Sequence, residues 1–106
     1  MELTIEIRAR AGKLQELYQT LQALLPTIRK ERGCRDCQIS RDVEDEDVFA
    51  LSAHWERRRD LENYMRSTSG AALLGALDLL SERAAARIDR DARDEGIDVL
   101  RKMRRR

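Results

Sequence analysis

The sequence predicts an α+β fold of the split β-α-β-β-α-β, ferredoxin-like type, with a four-stranded antiparallel sheet and its second helix broken in two. Three observations predict it. Strand-like runs with a period of two alternate with helix-like runs at three- and four-residue spacing. Turn signals at Gly12, Gly33 and the acidic run EDED, Glu44 to Asp47, fall at the joints. The chain of 106 residues suits one domain and leaves no room for two.

Each element has its own signal. Leu3, Ile5 and Ile7 alternate with Thr4, Glu6 and Arg8, which marks a first strand with one strongly apolar face. Leu14, Leu17, Tyr18, Leu21, Leu24, Leu25 and Ile28 form one stripe on a helix from about Lys13 to Glu31. Pro26 removes a backbone donor late in that helix and predicts a kink or tightened turn. Gly33 is placed to stop it. Cys37 to Asp42 reads as the second strand, and the acidic run as a solvated hairpin tip. The spacing and central glycine of a calcium loop are absent.

The third strand, Val48 to Trp55, is apolar on both sides. Phe49, Leu51, Ala53 and Trp55 share one face; Val48, Ala50, Ser52 and His54 share the other. Arg57 to Arg66 reads as a short helix with Leu61, Tyr64 and Met65 inward. Ser67 to Gly70 breaks it. Ala71 to Leu80 forms another, with Leu73, Leu74, Leu77 and Leu80 buried. Ala84 to Arg90 is the expected last strand, weak by propensity because it is rich in alanine. Residues 2–90 therefore form the domain and 91–106 a C-terminal helical arm. In the arm Asp91, Asp94 and Glu95 precede Ile97, Leu100 and Met103, and basic residues end it, an order that complements a helix dipole.

Helices cover only one face of such a sheet. The other holds Val48, Ala50, Ser52 and His54 beside Thr4, Glu6, Gln38 and Ser40, a mixture too apolar to be left in water. A second copy packed sheet against sheet would cover it. We therefore expect a homodimer closed into an α/β barrel, with these four residues of the third strand at the interface and the arm free to lie on the partner.

Composition excludes several functions. Basic and acidic residues number 21 and 20, so global charge favours neither nucleic acid nor a membrane surface. The terminal RKMRRR lacks interleaved aromatics and reads as a solvated helix end. No apolar run could span a bilayer, and the opening MELTIEIRAR lacks the order of a signal peptide, so a cytoplasmic protein is expected. Two cysteines and one histidine make no ordinary zinc site without help from acidic residues or a second subunit. Cys34 and Cys37 form a C-x-x-C. On a strand, residues three apart point to opposite faces, so two reduced thiols with Cys37 buried are expected rather than a redox pair.

Several stretches resemble one family. G-C before the second strand, R-D and acids at the hairpin, F-A-L-S-A-H-W-E on the third strand, D-L-E-N-Y-M-R-S and A-A-L-L-G-A-L-D-L-L on the helices are similar to the antibiotic biosynthesis monooxygenase (ABM) domain. The resemblance covers about residues 2 to 90. It implies a dimeric α+β barrel with a pocket between sheet and helices. It also implies oxidation of a quinol, phenol or polycyclic aromatic compound by molecular oxygen, with no metal, flavin or other cofactor. Relatives of the same fold degrade haem, using a histidine in a pattern like L-x-x-H-x-x-S and an asparagine on the first strand. Here Tyr64 stands in the histidine's place and Glu6 and Ile7 in the asparagine's, which argues against haem breakdown. The aromatic frequent near the start of the third helix is replaced by Ala71 and Ala72.

The chemistry implied needs a dry cavity, a hydrogen bond to the substrate oxygen and a path for a proton. Trp55 and Tyr64 are the candidate catalytic residues. Trp55 offers a flat wall and one N–H donor, or else anchors the core. Tyr64 offers a hydroxyl donor, or else a half-buried ring with its hydroxyl in water. Phe49, Leu51, Leu61, Met65, Leu73 and Leu77 would line the pocket or fill the core. His54, the one side chain titrating near neutrality, points by alternation toward the dimer interior. Two functions fit: a monooxygenase, or a non-catalytic dimeric module that binds a small apolar ligand or a partner protein.

Overall fold

The computed structural model describes residues 1–89 and 95–105. The elements are β1 (Glu2–Ala9), α1 (Leu14–Lys30), β2 (Cys34–Arg41), β3 (Val48–Trp55), α2 (Arg58–Arg66), α3 (Thr68–Leu80), β4 (Ser81–Ile88), the two-residue β5 (Glu95–Gly96) and α4 (Asp98–Arg105). The antiparallel sheet has the order β2-β3-β1-β4-β5. Its four long strands and the helices on one face are the α+β, ferredoxin-like arrangement that the sequence predicts, with the broken second helix as α2 and α3.

Period-two patterning places the sheet correctly. Leu3, Ile5 and Ile7 of β1 are buried against Phe49, Leu51 and Ala53 of β3, their direct cross-strand partners. Burying a side chain of this size contributes about 1.5–3 kcal/mol. The helical stripe of α1 places Leu17, Leu21 and Ile28 in the same core. Pro26 lies inside α1, which continues past it to Lys30. α1 packs on α3 and β2, while α2 packs on α3 and α4.

The starts of β2, α3 and β4 each differ from the sequence reading by three residues. β2 starts at Cys34 rather than Cys37, because a register shift between Cys34 and Asp36 lets the strand pair past an irregularity. α3 starts at Thr68 rather than Ala71. Ser67 caps it, its hydroxyl accepting from the Gly70 amide at 3.1 Å, so the apparent breaker is a helix start. β4 follows α3 directly at Ser81, whose hydroxyl donates to the Leu77 carbonyl at 2.5 Å, and ends at Ile88. Arg90, placed by the sequence reading at the end of this strand, lies outside the described residues, as do Asp91 and Asp94.

The C-terminal helix, α4, packs on α2 of its own chain, with Leu100 and Met103 buried in the same core. Arg104 holds it there, donating to the carbonyls of Met65 and Ser67 at 3.0 Å each. Arg101 pairs with Asp98 and with Asp78 of α3.

Candidate functional site

Trp55 ends β3 and is pinned through its backbone. Its amide donates to the Met1 carbonyl at 2.7 Å, and the Met1 amino group donates to its carbonyl at 2.9 Å. The chain then turns into α2, whose 3.6-residue period puts Leu61, Tyr64 and Met65 on the buried side. This connection brings the two candidate catalytic residues together. The rings of Trp55 and Tyr64 stack with centroids 5.5 Å apart and planes 30° apart, and the side chains are 1% and 2% exposed. Neither ring reaches water.

The Tyr64 hydroxyl has a protein partner rather than solvent. It lies 3.0 Å from the Ser69 hydroxyl across the joint between α2 and α3. That joint is tight. The Ser67 hydroxyl donates to the Tyr64 carbonyl at 2.5 Å, and a Cβ on Gly70 would collide with the same carbonyl. Burial pushes the Tyr64 hydroxyl up to about 12, partly opposed by the bond to Ser69. At neutral pH it is a hydrogen-bond donor and not a phenolate. Ser69 was not legible as a partner, because its approach depends on the close contact at Gly70.

Trp55 carries the unusual feature of this site. Its indole N–H is buried with no hydrogen-bond partner among the described residues. Buried donors are nearly always satisfied, and leaving one unmade costs about 1–3 kcal/mol.

Leu51, Leu61, Met65, Leu73 and Leu77 all lie in the buried core, as does Phe49. Phe49 is not at the Trp55 end. It lies six residues back along β3, about 20 Å at strand rise, where it stacks on Tyr18 with centroids 5.6 Å apart. Arg41 sits over its ring at 5.7 Å.

The two cysteines correct the sequence reading. Cys34 is paired with Trp55 and Cys37 with Ala53, two positions on the inner face of β3. The irregularity between Cys34 and Asp36 shifts the alternation, so both cysteines share the inner face instead of opposing one another. Both are free thiols, with Cys37 buried as expected. Burial pushes Cys37 up to about 12 and also raises Cys34, the opposite of what a reactive thiol needs.

On the outer face, Val48, Ala50, Ser52 and His54 are each half-buried. A depression of about 240 Å³ there is lined by Thr4, Glu6, Arg8, Val48, Arg83, Ala85 and Arg87. Arg8 bonds Asp45 of the hairpin at 2.7 Å, which holds that carboxyl below its ordinary range. A second cavity, about 290 Å³, opens beyond the end of β3 between the α1–β2 loop and α2. Its walls are Arg32, Gly33, Glu56, Arg57, Arg59, Asp60 and Asn63. Among the described residues no three His, Cys, Asp or Glu side chains group as a metal site, and no helix is long and apolar enough to cross a membrane.

Comparison with known proteins adds the family. Residues 1–73 match the model of the family described as antibiotic biosynthesis monooxygenase. No curated protein matches the sequence. Among solved structures, a protein of Pseudomonas aeruginosa is 23% identical, with a TM-score of 0.77 over 86% of this chain and 93% of that one. A conserved protein of Methanosarcina mazei Go1 is 19% identical, with a TM-score of 0.78 over 84% and 89%. A structure named as an antibiotic biosynthesis monooxygenase is 13% identical, with a TM-score of 0.76 over 84% and 96%. At these identities the likeness is one of fold.

Proposed function

The chain belongs to the antibiotic biosynthesis monooxygenase family, and from that premise we propose that it is a cofactor-independent monooxygenase of a quinol, phenol or polycyclic aromatic compound. The observation that carries the reading is the unpartnered indole N–H of Trp55, buried with its ring stacked on that of Tyr64. Two neutral donors in an apolar core suit an oxyanion better than a neutral oxygen, because a low dielectric strengthens a hydrogen bond to charge.

The reaction follows from the donors. An anthrone-type substrate enters as its enolate, its proton already given to solvent outside the apolar core, and is held by Trp55 and Tyr64. The enolate passes one electron to O2, and the resulting radicals combine as a substrate hydroperoxide. Loss of water leaves the quinone, so CH2 plus O2 gives C=O plus H2O. Leu51, Leu61, Met65, Leu73 and Leu77 keep solvent from the anion. His54 faces away on the outer side and takes no part. The substrate's own acidity supplies the ionisation, with the donors lowering its pKa.

Oxygen consumption with reduced quinones and hydroxyanthrones tests the reading. Catalysed uptake is expected, and both Trp55→Phe and Tyr64→Phe should lower kcat by about 10–100-fold each. Tight binding of the same compounds without turnover would favour the second reading, a non-catalytic ligand-binding module. The close packing around Tyr64 and its existing bond to Ser69 support that alternative.

We also propose that the subunit works as a homodimer with its outer sheet face covered by a second copy. The half-buried Val48, Ala50, Ser52 and His54 support this. Placing a charge at the centre, Ala50→Glu, should turn a dimer at micromolar concentration into a folded monomer in sedimentation. A wild-type monomer at that concentration would refute the assembly.

A further inference from the structure

The cavity beyond Trp55 is lined by more positive charge than the fold uses. Arg58 is occupied, 3.5 Å from Glu62 one turn along α2, and Glu56 lies 3.6 Å from Arg35. The side chains of Arg32, Arg57 and Arg59 make no hydrogen bond or ion pair among the described residues. The remaining acid is Asp60, whose carboxyl lies against Gly33, so close that a Cβ there would collide with it. Three guanidinium groups thus face one unpaired carboxylate across about 290 Å³. The Asn63 amide adds a neutral donor at the rim.

Position gives the cavity a meaning. α1 packs on β2 and α3, and α2 on α3 and α4. The cavity lies where the α1–β2 loop faces α2, at the end of the strand that carries Trp55. Glu56 and Arg57 in its wall directly follow that tryptophan. An aromatic ring entering beside Trp55 from this side would leave its far end among the arginines. Arginine forks match the planar geometry of a carboxylate.

We propose that Arg32, Arg57 and Arg59 form an anion subsite that selects aromatic substrates bearing a carboxylate. The inference rests on the preceding reading, that an aromatic compound is held beside Trp55. It goes further by naming the substrate class as an aromatic acid and the residues that recognise it.

A matched pair of probes tests it: a hydroxyanthrone and the same anthrone with a ring carboxylate. Binding is followed by quenching of Trp55, the single tryptophan, and turnover by oxygen uptake. Wild type should bind the acid about tenfold more tightly than the neutral compound. Arg57→Gln with Arg59→Gln should erase that advantage, and Arg32→Gln alone should reduce it. Arg58→Gln, whose guanidinium serves Glu62, should keep it in full. The advantage should also shrink as salt rises, since the arginines are exposed. Equal wild-type affinity for the two compounds overturns the subsite, as does an advantage that survives in the double variant. Acid binding through the arginines without oxidation of either compound leaves the subsite standing and removes the monooxygenase reading. Oxidation of both with one KM does the reverse.

Discussion

Along β3, Phe49, Leu51, Ala53 and Trp55 are buried, whereas Val48, Ala50, Ser52 and His54, each one peptide away, remain partly exposed. β1 repeats the division, with Leu3, Ile5 and Ile7 buried and Glu2 and Glu6 exposed. Strand pairing is shared by the two faces, so it does not separate them. Side-chain burial does. The inner face holds the core together and carries Trp55, which stacks on Tyr64 of α2; the outer face carries the residues proposed for association. The same period of two that folds the chain therefore also sorts its residues by role.

The widest separation is expected in stability. Leu51 and Ser52 are neighbours on one strand and face opposite ways. Leu51→Ala should cost about 3 kcal/mol, because transfer and cavity terms add in a packed core. Ser52→Ala should change stability by less than about 0.5 kcal/mol in the separated subunit, since a half-exposed hydroxyl leaves no cavity. Urea unfolding at a concentration where copies do not associate measures both. Comparable losses at the two positions would break the division.

A smaller effect comes from titration. Cys37 on the inner face and Tyr64 of α2, packed against it, are both pushed up to about 12 by burial. Each holds its proton more tightly in the folded chain than in the unfolded one. Between the ordinary values and pH 12 the unfolded chain therefore binds fewer protons, and stability falls as pH rises. The stabilisation is complete below about pH 8 and is lost between about pH 9 and 12. Tyr64 alone should contribute on the order of 2 kcal/mol to that fall, so Tyr64→Phe should flatten the upper part of the curve. Cys37→Ala should flatten the lower part. An alkaline limb unchanged in both variants would mean that neither group titrates from a buried state.

The two faces were legible in the sequence because alternation needs no geometry beyond the strand. The third strand was read to the residue, and α1 to within one residue at each end. Failures came where a local device interrupts the period. At Cys34 an irregular pairing shifts the alternation, so a rule based on period two placed the cysteines on opposite faces. At Ser67 the composition of a break hid a cap. At Ser81 a strand begins with no loop before it, and its alanines give little propensity to detect. The candidate site divides in the same way. That Trp55 and Tyr64 both point into the core follows from strand and helix phase. Phe49 shares the face but sits at the other end of β3, a distinction that face alone does not make. Ser69 and the arginine-lined cavity depend on how neighbouring elements meet at their joints, which no periodicity reports.

The smallest expected effect isolates a single bond at the site. Tyr64→Phe keeps the ring and hence its stack on Trp55, with centroids 5.5 Å apart. It removes the hydroxyl that lies 3.0 Å from Ser69. The Ser69 side chain is only half-buried, so its hydroxyl can turn to water when its partner is lost. The cost at neutral pH should therefore be near that of one neutral hydrogen bond, about 1 kcal/mol, rather than that of an orphaned buried group. Ser69→Ala acts from the other side and leaves the Tyr64 hydroxyl unpaired in a buried place, so it should cost more, about 1–2 kcal/mol. In the double variant the Tyr64→Phe step should cost nothing further and should relieve part of the Ser69→Ala loss, because the orphaned hydroxyl goes with it. Unfolding midpoints in urea for the four proteins of this cycle give the coupling directly. A coupling of zero would show that the two hydroxyls do not stabilise the α2–α3 joint through one another, leaving the Ser67 and Gly70 contacts to define it.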